Sequence, residues 1–313
     1  MNRKHMNSQL CKIFNNFLES VESEEVKEAL REGTIITGGA LVSLLQGDKP
    51  HDYDLYFKDF KTCYKVADYF VEKFNEEHKK KASIKIKTSK EINEHSTDKW
   101  ISYENALEEI KNNGEPRIKI FIQSTGVAGE EDIEDDDMQT NITPDSNIDE
   151  IEEKPKYVPK YLTSNAISLS GKIQLVIRFY GDPQEIHENY DFVHCTNYWT
   201  SWEKKVTLKL EAMEAIINKE LIYVGSKYPL CSIIRTRKFI NRGWTINAGQ
   251  YLKMCMQLNE LDLKNIQVLE DQLVGVDSTY FNILISALQE KQKSNNDFNV
   301  SSSYVASIVD KIF

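Results

Sequence analysis

A pair of glycines between a short β-prone run and a short helical segment restricts the fold of this chain more than any other feature. The run Thr34–Thr37 leads into Gly38 and Gly39, and the helical segment that follows stops at Gly47. This order predicts a strand, a glycine turn and a helix. Because glycine has no Cβ, such a turn lets the backbone N–H groups at the helix N-terminus approach the oxygens of a triphosphate.

Two aspartates follow on a second predicted strand. Asp52 and Asp54 alternate there with the β-prone residues Tyr53, Leu55 and Phe57. Side chains two positions apart on a strand leave the same face, so we expect the two carboxylates to lie side by side. Carboxylate oxygens are good ligands for Mg²⁺. Two such ions can activate an attacking hydroxyl and neutralise a leaving pyrophosphate.

The glycine pair and the aspartate pair are informative only in combination. A lone glycine pair is most often an ordinary turn, and a lone DxD is most often a solvated strand face. Here Asp52 follows Gly39 by 13 residues, with the helical segment between them. Over residues 33–60 this arrangement resembles the opening motif of the nucleotidyltransferase superfamily, in particular the class of poly(A) polymerases and CCA-adding enzymes. In one departure, Val42-Ser43 stands where CCA-type enzymes carry Arg-Asp, which argues against CCA addition but not against metal binding.

The resemblance implies an α+β fold. A DNA polymerase β-like nucleotidyltransferase domain, with a mixed sheet flanked by helices, would be followed by a mostly helical C-terminal region. The implied cofactors are two Mg²⁺ ions, and the implied substrate is an NTP such as ATP. The residues implied to cradle the triphosphate are Thr37, Gly38 and Gly39. The implied catalytic and metal-binding residues are Asp52, Asp54 and a third carboxylate on a later strand.

Asp191 fits the third carboxylate best. It lies in the predicted strand Tyr190–Cys195, where apolar β-formers flank it. Asp182, Glu185 and Glu188 compete for this role, but they lie in a loop-like stretch. A capping or surface role for Asp191 is the alternative interpretation.

A basic stretch near the C-terminus is a candidate phosphate contact. Residues 227–253 hold six Lys or Arg and no acidic residue, with aromatic residues interleaved. On a helix starting near Ser232, Arg235, Lys238 and Arg242 would share a face. They could bind the triphosphate or an RNA backbone, and the aromatic residues could stack on bases. A solvated helix face with the aromatics in the core is an equally good interpretation.

The net charge of −10 belongs to one segment. Residues 129–156 hold 12 of the 49 acidic residues and 2 of the 39 basic ones, which leaves 37 of each sign elsewhere. The acidity therefore does not exclude a nucleic-acid partner. The low hydrophobicity of this segment predicts a disordered insertion within a domain. It could be a solvated loop, or it could mimic nucleic acid and shield a basic groove.

The remaining periodicities complete the predicted organisation. They indicate an amphipathic helix at 8–31, a helix at 60–80, strands at 83–88, 117–123 and 173–179, and helices from Trp202 onward. The predicted domains are a nucleotidyltransferase domain at 1–200, which contains the insertion, and a helical domain at 201–313.

Longer stretches widen the resemblance to most of the chain. The segments NAISLSGKIQLVIRF, YDFVHCTNYW and GSKYPLCSIIRTRKFINRGWTINAG are similar to uncharacterised nucleotidyltransferase-like proteins of bacteriophages.

Five scattered cysteines without a CxxC pair, and no membrane-length apolar run, favour the cytoplasm of the host, although a place in the virion is possible. His187, His194 and Cys195 match no tetrahedral zinc spacing.

Two hypotheses about function follow. The first is Mg²⁺-dependent transfer of NMP from an NTP to a hydroxyl, with an RNA 3′ end, such as that of a tRNA, favoured over a protein hydroxyl or a small molecule. The second is a catalytically silent binding or structural module, such as a virion component or a regulator of a host enzyme, since a fold does not fix a function.

Overall fold

The computed structural model describes residues 2–90, 99–123 and 157–263, together with positions 265, 268, 272 and 303. The predicted acidic insertion lies outside these residues. The chain divides into two units. The described N-terminal unit comprises residues 2–90, 99–123, 157–188 and 195–209, and the described C-terminal unit comprises 189–194, 210–263 and the four single positions.

The described strands, in chain order, are β1 (Thr34–Thr37), β2 (Tyr53–Phe57), β3 (Lys81–Lys87), β4 (Trp100–Ile101), β5 (Arg117–Gln123), β6 (Pro159–Leu162), β7 (Ala166–Leu169), β8 (Ile173–Tyr180), β9 (Tyr198–Thr200) and β10 (Lys205–Thr207). The described helices are α1 (Arg3–Ser20), α2 (Glu24–Gly33), α3 (Gly39–Gln46), α4 (Phe60–His78), α5 (Tyr103–Lys111), α6 (Pro183–His187), α7 (Leu210–Asn218), α8 (Pro229–Ile240) and α9 (Ala248–Leu258).

The main sheet of the N-terminal unit is mixed. Within the described ranges its order is β10-β9-β1-β2-β8-β7-β6. Strands β2 and β8 run parallel, and every other neighbouring pair is antiparallel. The predicted α+β class with a mixed sheet and helices is therefore confirmed. The assignment to a polymerase β-like fold stays a prediction.

A smaller sheet belongs to the same unit. Its order is β4-β3-β5 in the described part of the chain, and both neighbouring pairs are antiparallel. One face of β3 and β5 carries Ala82, Ile86, Ile118 and Ile120, which are all buried in the same hydrophobic core as the main sheet. Because these residues are buried, the side chains on the opposite face of β3 and β5 point away from the core.

The predicted helix at 8–31 is wrong in one respect, because the chain forms two helices there. Val21 is extended and ends α1, with its N–H donating to the Leu18 carbonyl. Ser23 then caps α2 by accepting a hydrogen bond from the Val26 N–H. A serine cap stabilises a new helix start, so the apolar periodicity continues across a break.

Tertiary contacts also overturn two further predictions. Residues 190–195 do not form a strand: Phe192 makes one isolated bridge with Tyr223, and Val193–Cys195 is a 3₁₀ turn. The helical pattern predicted from Trp202 begins only at α7, because Lys205–Thr207 pairs with β9 in a hairpin. The predicted domain boundary after residue 200 falls inside this hairpin, and the division at 1–200 and 201–313 stays a prediction.

The described part of the C-terminal unit is helical and packs around an aromatic cluster. The rings of Phe192, Phe239 and Trp244 lie 5.9, 4.7 and 4.3 Å from the His194 ring. Burial among these rings lowers the pKa of His194 to about 4, although the Asp191 carboxylate opposes the shift. His194 is therefore a neutral core residue at physiological pH.

Phe17 anchors α1 to the core of the N-terminal unit. Its ring lies 5.9 Å from the Phe70 ring of α4 and 5.7 Å from the Tyr157 ring, and it is fully buried. We predict that Phe17→Ala lowers the free energy of unfolding by about 3–5 kcal/mol, because the lost burial leaves a cavity. Urea unfolding followed by circular dichroism measures this change.

The matched control is Asn16→Ala, which alters an exposed position of the same helix. It should change the unfolding free energy by less than about 0.5 kcal/mol. A Phe17→Ala variant as stable as this control would contradict the described packing of α1.

Candidate functional site

The glycine turn connects β1 to α3 and leaves the start of that helix open. Gly38 has φ 87° and ψ −148°, a backbone conformation that side chains rarely adopt, and no side chain caps the helix. A Cβ placed on Gly39 would meet no atom within 4 Å. Gly39 is exposed, so a ligand can approach this uncapped helix start, and helix starts of this kind can bind a phosphate or carboxylate.

The aspartate pair lies at the neighbouring strand end. In the antiparallel register of β1 with β2, Thr37 stands opposite Asp54. Asp52 is exposed directly before β2, whereas Asp54 is half-buried between two buried neighbours. The Tyr53 N–H donates to the Lys172 carbonyl at 2.8 Å, which fixes the start of the strand. The register therefore brings the acidic strand end beside the glycine turn.

Burial, and to a lesser extent the negative charge of Asp52, together raise the pKa of Asp54 to about 7. Two carboxylates that interact in this way repel each other when both are ionised. A divalent cation would offset the repulsion, because hard oxygen ligands suit Mg²⁺. The pair therefore fits a metal ion by its donor type and by its electrostatics.

The third acid of the predicted site belongs to the C-terminal unit. Asp191 is largely buried and accepts a hydrogen bond from the Arg235 guanidinium at 2.7 Å, so the two form an ion pair. Within each unit taken by itself, the described residues hold no group of three His, Cys, Asp or Glu side chains suited to a metal ion. The metal-binding role of Asp191 stays a prediction.

Two of the competing acids have structural partners. The Asp182 side chain accepts hydrogen bonds from the Gln184 and Glu185 N–H groups at the start of α6. The Glu185 carboxylate accepts one in return from the Asp182 N–H, at 2.7 Å, which completes a capping box. Such reciprocal bonds stabilise a helix start, and they account for both carboxylates.

A chain of buried hydrogen bonds, which we call the buried relay, holds Thr37 in place, and no pattern in the sequence predicted it. His187 Nε2 lies 2.8 Å from Thr37 Oγ1, and this hydroxyl donates to the Asn197 carbonyl at 2.9 Å. On the other side of the imidazole, Lys209 Nζ lies 3.2 Å from Nδ1. Because an ammonium can only donate, Nδ1 accepts, and the hydrogen resides on Nε2 facing Thr37.

The His187 imidazole stays neutral at physiological pH. Burial and the neighbouring Lys209 charge lower the pKa of His187 to about 3, while Asp182 opposes the shift. The Gly38 N–H also donates to the Cys195 carbonyl at 3.2 Å. The glycine turn is thus attached to the segment before β9 through its backbone and through the Thr37 side chain.

The basic stretch is only partly helical. Arg235 and Lys238 lie on α8, but this helix ends at Ile240, so Arg242 lies in the following turn and not on a shared helix face. Lys238 and Arg242 are exposed, whereas Trp244 is buried. Contact of these cations with a nucleotide or an RNA stays a prediction.

Among the described residues, no helix has the length and apolar character needed to cross a membrane.

Comparison with solved structures adds little to this geometry. A Thermotoga maritima CCA-adding enzyme, in complex with a tRNA, matches with a TM-score of 0.36 and 10% sequence identity. The match covers 92% of this chain and 57% of the enzyme. A similarity this low supports no argument about the fold.

Comparison of the sequence is more specific. The protein "Gabija anti-defense 2" of Bacillus phage SPbetaL7 is 23% identical over 143 residues, which cover 45% of this chain. The alignment spans only a third of that relative, 33% of its length. A profile described as "Gabija anti-defense 2 family protein" matches residues 8–219, well over half of the chain. The chain therefore belongs to the Gabija anti-defense 2 family.

Proposed function

We propose that this protein counters the Gabija defence as a Mg²⁺-dependent nucleotidyltransferase of the polymerase β-like fold. The observation that carries the proposal is the register of β1 with β2, which sets Asp54 opposite Thr37 beside an uncapped helix start. Acidic metal ligands next to a phosphate cradle are the arrangement that transfer of NMP from an NTP requires. The family and the phage relative supply the biological context.

Each part of the site has a role in this proposal. The N–H groups at the start of α3 bind the β- and γ-phosphates, with Gly38 and Gly39 leaving room for their oxygens. Asp52 and Asp54 hold the cations. When bound, Mg²⁺ neutralises the charge of the leaving pyrophosphate and lowers the pKa of the attacking hydroxyl. The buried relay keeps the Thr37 end of β1 fixed while the phosphates bind and leave.

Asp191 is the proposed third ligand, by resemblance to the superfamily. A cation at this carboxylate would compete with its ion pair to Arg235. Arg235, Lys238 and Arg242 are the proposed contacts for the triphosphate or an RNA. An RNA 3′ end is the proposed acceptor, and a hydroxyl on a host protein is the alternative that the family name favours.

A second candidate is a catalytically silent module that binds a host protein. The ion pair of Asp191 with Arg235 favours it, because it engages the carboxylate that the superfamily would use as its third metal ligand. Calorimetry with a non-hydrolysable NTP analogue and Mg²⁺ separates the candidates. Heat of binding that depends on Mg²⁺ supports the enzyme, and its absence supports the module.

Replacing both aspartates should abolish the chemistry. We predict that Asp52→Asn/Asp54→Asn lowers Mg²⁺-dependent release of pyrophosphate from NTPs at least about 100-fold, because amides cannot replace the charge that holds the cations. The control variant Glu76→Gln/Glu77→Gln removes two exposed carboxylates at the end of α4 and should retain the activity. Equal activity in the aspartate variant would remove the enzymatic proposal.

The same variants test the biological role. Expression of the wild-type protein in cells that carry the Gabija defence should restore plaque formation by a sensitive phage. The aspartate variant should not restore it, whereas the Glu76/Glu77 control should. Full restoration by the aspartate variant would assign the anti-defense effect to binding alone.

The buried relay predicts a pH dependence of stability. The pKa of His187 is about 3 in the folded protein and 6.5 when unfolded, so the unfolded state binds the proton more readily. The contribution of His187 to stability is therefore complete above pH 6.5, and it falls as the pH drops toward 3. This residue alone should lower the free energy of unfolding by about 2 kcal/mol between pH 7 and pH 5.

His187→Gln removes the titration and keeps a side-chain donor for Thr37. Between pH 7 and pH 5, the free energy of unfolding of this variant should fall by about 2 kcal/mol less than that of the wild type. Urea unfolding at the two pH values measures this difference. His5→Gln, at an exposed position of α1, reports the effect of removing a surface imidazole. An unchanged pH dependence in His187→Gln would contradict a buried neutral imidazole.

A further inference from the structure

The smaller sheet presents one face to solvent, and its composition differs from that of an ordinary protein surface. Along β3 the side chains of Lys81, Ser83, Lys85 and Lys87 are exposed, whereas Ala82 and Ile86 between them are buried. The same face continues onto both neighbouring strands, because directly opposed residues of an antiparallel pair share a face. We call it the outer sheet face.

The neighbouring strands add further cations to this face. Lys119 stands opposite Lys85, and Arg117 stands opposite Lys87. The three strands contain no Asp or Glu. A face that served only solubility would mix the two signs of charge, so the outer sheet face is basic by composition.

Cations on this face stand directly opposite each other. Lys87 faces Arg117 across β3 and β5, and like charges in this position on neighbouring strands repel. An anionic ligand along the face would reduce this repulsion. The arrangement is therefore better suited to a bound polyanion than to bare solvent.

Two aromatic rings lie among these cations. Trp100 of β4 stands opposite Lys87, and Phe121 of β5 stands opposite Ser83. Their ring centroids are 5.0 Å apart, and both rings are only half-buried. Lys85 Nζ lies 5.6 Å from the Trp100 centroid and 4.6 Å from the Phe121 centroid. Aromatic rings on a basic sheet are the platform on which unpaired bases stack.

We infer that the outer sheet face binds single-stranded nucleic acid, with phosphates on Lys81, Lys85, Lys87, Arg117 and Lys119 and bases on Trp100 and Phe121. An acidic protein would use the cations but has no need of the two rings, and a duplex cannot stack its paired bases on them. From Lys81 to Lys87 the strand offers about 20 Å of contact, enough for several nucleotides. The inference holds whether or not the protein transfers nucleotides.

Charge reversal on β3 tests the electrostatic part. Fluorescence anisotropy of a labelled 12-nucleotide oligo(U) or oligo(dT) measures binding to the full chain. Lys85→Glu/Lys87→Glu should weaken binding on the order of tenfold or more, and should lower the slope of log affinity against log salt by about 1.4, or about 0.7 per lost contact. Lys12→Glu/Lys61→Glu, an equal charge change at exposed positions of α1 and α4, should leave the slope intact.

Replacing Trp100 tests the stacking part. Trp100→Ala should weaken binding roughly tenfold, whereas Trp100→Phe should retain most of the affinity, because it keeps a ring. Oligo(U) should also quench tryptophan fluorescence in the wild type and lose this component in Trp100→Phe. Circular dichroism of each variant confirms that the sheet is intact.

Three outcomes would overturn the inference. The first is wild-type affinity in Lys85→Glu/Lys87→Glu. The second is an equal loss in the Lys12/Lys61 control, which would make the binding a property of total charge. The third is wild-type affinity in Trp100→Ala together with equal competition by poly-glutamate, which would assign the face to an acidic protein partner.

Discussion

The antiparallel pairing of β1 with β2 is the contact on which the rest of the site depends. Thr37 is the last residue of β1 and stands opposite Asp54, so the end of one strand leads into the glycine turn where the other carries the acids. A slip of one residue would turn Asp54 to the opposite face. The buried Ile36 and Leu55 prevent such a slip, because both belong to the hydrophobic core. Core packing and site geometry are therefore set by the same register.

The site retains features that do not serve stability. Asp54 is held where burial and a neighbouring charge both oppose its ionisation, and α3 begins without a side-chain cap. An N-cap typically stabilises a helix by about 1 kcal/mol. Such exceptions cluster at functional sites, where a ligand supplies the missing charge or hydrogen bonds. A triphosphate and divalent cations would satisfy both exceptions at once.

Sequence patterns predicted the parts of the structure that local interactions determine. The strand, glycine turn, helix and second strand between Thr34 and Phe57 were predicted from periodicity, because glycine conformation and alternation act over a few residues. The patterns failed where distant partners decide. Val206 reads as helical but pairs in the β9–β10 hairpin, and Phe192 makes only one bridge because the chain turns to bury His194 among aromatic rings. The relay could not be predicted, since His187 and Thr37 are 150 residues apart. The basic face around the alternating lysines of β3 could not be predicted either, because the cations that stand opposite them lie on another strand, β5.

Locating the metal ion tests the proposed site most directly. Crystals of the protein soaked with Mn²⁺ and a non-hydrolysable NTP analogue would reveal the ion by its anomalous scattering. We expect a peak bound by the carboxylates of Asp52 and Asp54, with the triphosphate at the N-terminus of α3, and no such peak in Asp52→Asn/Asp54→Asn. A nucleotide bound elsewhere, or an Mn²⁺ peak that persists in the double variant, would contradict the proposed site.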